Sequence, residues 1–120
     1  MKYSIIIPTY INYKGLDKCL ESIFKYTNIE DKEIIIVCNG CGDNTKKVLS
    51  KYKNENIKTL WIKDAIGYAN AINKGTILAS GEYFIFLNDD TILLEQEKDQ
   101  WIKTLIEHIV DKENDISGPH

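Results

Sequence analysis

Arginine is missing from this chain altogether; all 15 of its basic residues are lysines. Without arginine there is no planar fork for two-point recognition of phosphates or guanine edges. A formal charge of -3 and a pI near 5.4 leave no excess positive field, so a nucleic-acid partner is not expected. No apolar run approaches membrane-spanning length, which argues against a transmembrane segment. The opening Met1–Pro8 is too short and too β-branched for a secretory signal, so the expected location is cytoplasmic.

Cysteine is also scarce. Cys19, Cys38 and Cys41 are an odd number, which fits reduced thiols better than a disulfide framework. Cys38 and Cys41 form a C-x-x-C after a strand-like run, which raises a redox pair or half of a zinc site. Zinc needs further ligands, and Cys19, His108 and His120 do not pair at ligand spacing. A redox motif usually opens a helix directly after its strand, whereas Gly42-Asp43-Asn44 intervenes here as a turn.

What is present is an ordinary globular composition, 43% hydrophobic and 28% charged over 120 residues, which predicts one domain spanning 1–120. Ser4 to Pro8, Glu33 to Cys38, Ile57 to Ile62 and Glu82 to Leu87 read as strands. The first, second and fourth are almost continuously apolar, as strands covered on both faces should be. Between them lie helical patterns. Leu16, Cys19, Leu20, Ile23 and Phe24 form one amphipathic stripe, and a shorter helix begins near Asp43-Asn44-Thr45 and carries Val48, Leu49 and Tyr52. A third, from Ile66 to Ala79, places Ala69, Ile72, Thr76 and Ala79 on one face. A fourth, about Glu97 to Asp111, turns Ile102, Ile106, Ile109 and Val110 inward, widened by Trp101 and Leu105.

This alternation predicts an α/β fold, a three-layer α/β/α arrangement around a mainly parallel, Rossmann-like sheet. Ligands of such sheets bind outside the carboxyl ends of the strands, which gathers Thr9-Tyr10, Asn39-Gly40, Lys63-Asp64 and Asn88-Asp89-Asp90. The last group follows the apolar run Tyr83–Leu87. Two adjacent carboxylates at a core edge are costly unless compensated, which points to a hard cation and a phosphate-bearing ligand. They are equally ordinary turn or cap residues, and their chemistry alone leaves both readings open.

Taken in order, Ser4–Tyr10, Ile34–Gly40, Gly67 through Ala71–Gly75, Gly81-Glu82-Tyr83 and Leu87–Thr91 resemble the family 2 glycosyltransferases of the GT-A fold. The resemblance runs across essentially the whole chain and implies the strand order third, second, first, fourth. It implies transfer of a sugar from a nucleotide diphosphate donor, UDP- or dTDP-linked, with Mn²⁺ or Mg²⁺ on the diphosphate. Asn88-Asp89-Asp90 is then this chain's version of the D-x-D region, with Asp90 on the metal and Asn88 or Asp89 on the ribose or diphosphate. Pro8, Thr9 and Tyr10 line the base pocket, Tyr10 against the nucleobase. Cys38 stands where the family has an aspartate that reads the base, which implies either that Asn39 takes over or that the base preference differs. Asp64 is a further base or ribose contact, or a turn residue.

Asn73 and Gly75 match A-x-N-x-G, as packing or ligand contact, and Lys74 is an exposed helical lysine. The catalytic residue stays unknown. In inverting members the base lies in the second half of the domain, and Glu95, Glu97 and Asp99 read as the solvated first turn of a helix. Asp115–His120 looks like the start of another strand or turn, so the acceptor-binding half is expected to be lacking. The acceptor, whether glycan, lipid-linked or protein, is left unspecified, as is homo-oligomer formation. The rival reading is a catalytically incomplete nucleotide-sugar-binding module. A nucleotidyltransferase ranks last, since Pro8–Gly15 holds one glycine and one lysine where a phosphate loop needs more.

Overall fold

The β-branched runs form four strands and the periodic segments four helices, in strict alternation. The computed structural model describes residues 2–53 and 56–115, with side chains as far as Glu107. The elements are β1 (Tyr3–Thr9), α1 (Tyr13–Tyr26), β2 (Lys32–Asn39), α2 (Asp43–Ser50), β3 (Ile57–Ile62), α3 (Tyr68–Leu78), β4 (Tyr83–Phe86) and α4 (Gln100–Asp115). All pairings are parallel and the sheet order is β3-β2-β1-β4, as the sequence led us to expect.

Period-two alternation divides the core between the two faces. Ile5, Ile7, Ile34, Ile36 and Cys38 point to one side, where Leu16, Cys19, Leu20 and Ile23 of α1 and Val48 of α2 bury them. Ile6, Ile35 and Val37 point to the other, against Ala71 of α3. Each fully buried aliphatic side chain contributes about 1.5–3 kcal/mol relative to exposure, so these clusters set the layer order.

The face of α3 differs from the one predicted. Ala71 and Gly75 are its buried residues, while Ala69 is exposed and Ile72, Thr76 and Ala79 are only half-buried. The physical reason is close approach: a Cβ on Gly75 would stand 2.8 Å from Ile6 Cγ2 and 2.9 Å from Val37 Cγ2. Gly75 is therefore a packing residue, and Asn73 and Lys74 lie exposed beside it. β4 takes the edge place expected of it but not the two-sided cover: α3 packs chiefly on β1 and β2, and Phe84 and Phe86 remain 44% and 46% exposed.

On α4, Ile102 is buried as predicted and Trp101 packs on the core, but Leu105 and Ile106 are exposed along the same uncovered β4 edge. Ile109 and Val110 lie outside the residues whose side chains are described, and residues 116–120 lie outside the described residues. The second helix is capped by Gly42 without a side-chain bond, with Asp43 in its first turn, and it ends before Tyr52. Asp99 is not a solvated acid. It immediately precedes α4, accepts from Asn28 N at 2.8 Å and pairs with the buried Lys32 Nζ at 3.2 Å. No helix among the described residues is long and apolar enough to cross a membrane.

Candidate functional site

The carboxyl ends of β1, β2 and β4 open into a cleft of about 440 Å³. β1 delivers Pro8 and Thr9 at its end, with Tyr10 just beyond; β2 delivers Asn39; the turn after β4 delivers Asn88, Asp89 and Asp90. Every predicted site residue except one therefore lines this cleft. The exception is Asp64, which is exposed on the turn after β3 and does not line it. The β3–α3 connection contributes Ala65 and Gly67 instead, and α3 contributes Tyr68.

Tyr10 is 54% exposed, with its ring beside the backbone of Gly40. Gly40 has φ +80, a left-handed conformation that suits glycine, and a Cβ there would meet Ala65 at 3.2 Å and Tyr10 Cε1 at 3.3 Å. The cleft wall thus depends on a residue with no side chain. Asn39 is nearly buried, and both ends of its amide are engaged: Oδ1 accepts from Ile66 N at 2.9 Å and Nδ2 donates to Gly67 O at 3.4 Å. Its side chain holds the β3–α3 connection against the end of β2.

The two aspartates have different surroundings. Asp89 is half-buried and accepts from Thr9 Oγ1 at 2.8 Å and from Asn12 Nδ2 at 3.2 Å. Asp90 is exposed, and no described residue bonds its carboxylate. Thr91 N donates to Asn88 O at 3.1 Å, which closes the turn that presents the pair.

None of the residues lining the cleft is basic. Two carboxylates without a cation disfavour a free diphosphate, and among the described residues no group of three His, Cys, Asp or Glu could hold a metal by itself. The donor set fits Mg²⁺ or Mn²⁺ bound through one protein carboxylate, water and substrate phosphate oxygens, with Asp90 as that carboxylate.

The three cysteines are free. Burial first, and then the charges of Asp89 and Asp90, push the Cys19 thiol up to about 12. Burial also raises Cys38 and Cys41, so all three thiols stay protonated and the C-x-x-C lacks the thiolate a redox pair needs. Cys41 instead donates to the carbonyl of Tyr10 at 2.7 Å, beneath the cleft.

Tyr68 is a cleft residue that the sequence does not single out. Tyr68 lay inside a helical pattern, where an aromatic reads as surface or core. The signal that finds it is positional: the first turn of a helix that follows a parallel strand stands at the crevice. Asn12 is the N-cap of α1, and its cap role hides its second bond.

The model of glycosyl transferase family 2 matches residues 4–120. The chain belongs to glycosyl transferase family 2. As a family 2 chain it is 30% identical over 115 residues to Glycosyltransferase GlyG of Streptococcus pneumoniae serotype 4, covering 94% of this chain and 36% of that relative. Its fold is shared with S. aureus TarS, solved with UDP-GlcNAc, at a TM-score of 0.77 and 24% identity over 100% of this chain and 37% of that one. The mannosyltransferase PcManGT from Pyrobaculum calidifontis, solved with GDP-Man and Mn²⁺, gives a TM-score of 0.75 at 18% identity, covering 87% and 31%. This family 2 chain thus spans about a third of the length of these proteins and has their GT-A fold.

Proposed function

We propose that this chain is the nucleotide-sugar-binding part of a glycosyltransferase, taking a sugar from a UDP- or dTDP-linked donor to an acceptor with Mn²⁺ or Mg²⁺. One observation carries the reading: Asp90, whose carboxylate has no partner among the described residues, lines the same cleft as the exposed rings of Tyr10 and Tyr68. A cleft with aromatic faces at one part and an uncompensated carboxylate at another matches a ligand made of a base and a diphosphate. The family membership and the sugar nucleotides bound by TarS and PcManGT support the same class of ligand.

Within this reading Tyr10 packs on the base, and Pro8 and Thr9 form the wall beneath it. Asn39 acts by holding the Ile66–Gly67 backbone at the cleft, and Asn88 and Asp90 face the diphosphate. The metal, when bound, offsets charge that builds on the leaving diphosphate. Asp90 supplies its protein ligand, and an asparagine at position 88 in place of a further carboxylate makes affinity for the metal depend on the nucleotide. A cytoplasmic location belongs to the same proposal, since three free thiols suit a reducing compartment.

The alternative, a binding module that needs a partner segment for chemistry, is favoured by a specific observation. Of the two carboxylates lining the cleft, Asp89 is engaged by Thr9 and Asn12 and Asp90 is assigned to the metal. Neither is free to act as a general base on an acceptor hydroxyl. Thermal unfolding with UDP, dTDP, GDP or UDP-GlcNAc, each with and without Mn²⁺, tests donor binding. A ligand at about 100 times its Kd stabilises by about 2.7 kcal/mol. The expected result is a rise in Tm that needs both nucleotide and metal and is lost in Asp90→Ala. No rise with any nucleotide and metal would overturn the donor-site reading. Sugar-nucleotide turnover by the chain alone would overturn the binding-module alternative.

A further inference from the structure

Asp89 is fixed by two donors that flank the β1–α1 connection, one on the last residue of β1 and one on the N-cap of α1. Thr9 Oγ1 donates to its Oδ2 at 2.8 Å and Asn12 Nδ2 to its Oδ1 at 3.2 Å. The amide of Asn12 can sit only one way round, because its Oδ1 accepts from Gly15 N at 3.2 Å as the N-cap of α1. Reversing it would point NH₂ at an N–H and oxygen at a carboxylate. A single side chain therefore ties the start of α1 to the acidic turn after β4, across 77 residues of sequence.

The loop so held is the one that carries Tyr10, and the turn so held is the one that carries Asp90. Among the described residues the other polar links between α1 and the turn run through the Cys19 thiol, which has a long contact to Asn88 O at 3.9 Å and lies against the Thr91 backbone. We propose that Asp89 is a positioning residue that fixes the spacing between the aromatic wall at Tyr10 and the metal carboxylate of Asp90. The proposal rests on the donor-site reading of the cleft. It gives the two adjacent aspartates separate tasks, Asp89 toward the protein and Asp90 toward the ligand.

The test is a reciprocal exchange. Asp89→Asn alone must either set its NH₂ against that of Asn12 or turn it toward the Thr9 hydroxyl, which then accepts, and Asn12→Asp alone sets two carboxylates against each other. The double variant restores one donor and one acceptor with the polarity reversed. Asp at 12 still accepts from Gly15 N, and Thr9 can donate to the new amide oxygen. Two readouts are taken on the full chain: urea unfolding without ligand, and the Kd for UDP at saturating Mn²⁺ by calorimetry. Asn12→Asp is expected to weaken UDP binding by about 10–100-fold, the range seen when the support of a metal site is removed, and Asp89→Asn by less, since its turned amide can keep both partners. The double variant is expected to return to within about twofold of the native Kd. Restored stability without restored UDP affinity would overturn the proposal, because it would put the Asp89 carboxylate itself on the ligand. Recovery of neither would overturn it by removing the bond. If the native chain binds no nucleotide with metal, the donor-site reading fails separately. The unfolding cycle then decides the tie alone, recovery in the double variant supporting it and no recovery overturning it.

Discussion

Ser4 and Glu33 stand side by side in the register of β1 and β2, and the buried Ser4 hydroxyl donates to Glu33 Oε2 at the end of the sheet opposite the cleft. Ser80 donates to the same oxygen through its N–H at 2.6 Å and its hydroxyl at 3.0 Å, while Lys58 Nζ pairs with Oε1 at 2.8 Å. Burial alone would push this carboxyl up; Lys58, Ser4 and Ser80 outweigh it and hold it at about 2. A carboxylate held below its unfolded value of 4.5 stabilises the fold at pH above that value, and the gain is lost as pH falls from there toward 2. The difference amounts to roughly 3 kcal/mol at neutral pH. Urea unfolding between pH 7 and pH 2.5 should show a steep loss below pH 4.5 in the native chain and a shallower one in Glu33→Gln, with Asp17 and Asp31, also held low by lysines, providing what remains.

Lys32 and Asp99 tie the beginning of β2 to the beginning of α4. Lys32 is buried with its Nζ among Asp99 Oδ2, Asp31 Oδ1 and the Asn28 carbonyl, and Asp99 holds φ +67, which asparagine tolerates and alanine does not. Asp99→Asn keeps that tolerance and removes the charge facing Lys32. A loss of about 1.5–3 kcal/mol is expected, the range for hydrogen bonds to charged groups. Because the pair lies at the end of the sheet away from the cleft, the Kd for UDP with Mn²⁺ should not change in Asp99→Asn, and calorimetry beside unfolding separates the two effects.

The layer order was legible because it rests on a periodic signal, and the strand order because the ordered motifs resemble a family with that sheet. Ile5 and Ile7 against Ile6, or Ile34 and Ile36 against Ile35, state the two-faced burial of a central strand directly. Phe84 and Phe86 carry the same apolar signal, but α3 packs chiefly on β1 and β2, and which neighbour covers a strand is a property of the sheet, not of the strand. The α3 face was misread because Gly75 contributes no hydrophobic signal, yet its missing side chain is what lets the helix approach. At the site, residue types announced chemistry, but pairings did not. That Asp89 faces Thr9 and Asn12 while Asp90 faces the cleft depends on contacts 80 and 77 residues apart in sequence.

Asn39 gives a third prediction, one that separates shaping the cleft from reading the base. Its amide is committed to Ile66 N and Gly67 O, so Asn39→Ala frees the β3–α3 connection as well as removing a polar group from the wall. Loss of two such bonds at a nearly buried site is expected to destabilise by about 1–3 kcal/mol. Asn39→Asp keeps the acceptor for Ile66 N and loses only the donor to Gly67 O. If Asn39 shapes the wall, UDP affinity should follow stability across the two variants, with Asp the milder. Native stability in Asn39→Asp with sharply reduced UDP affinity would instead place the amide on the base.

Tyr10 separates stacking from hydrogen bonding at the other wall. Its ring is half-exposed beside Gly40 and Ala65, and none of its polar atoms except the backbone carbonyl has a bond to a described residue. A ring that packs on a base contributes through its face, so Tyr10→Phe should bind UDP with Mn²⁺ as the native chain does. Tyr10→Ala should lose about 1–3 kcal/mol, the range for a base–aromatic stack, with little change in unfolding because little of the ring is buried in the fold. The same pair measured with GDP separates a general aromatic platform from a pyrimidine-selective wall. Equal losses for UDP and GDP would assign base selectivity elsewhere in the cleft, and a larger loss for UDP would assign it to Tyr10. An intact Kd in Tyr10→Ala would remove Tyr10 from the base site altogether.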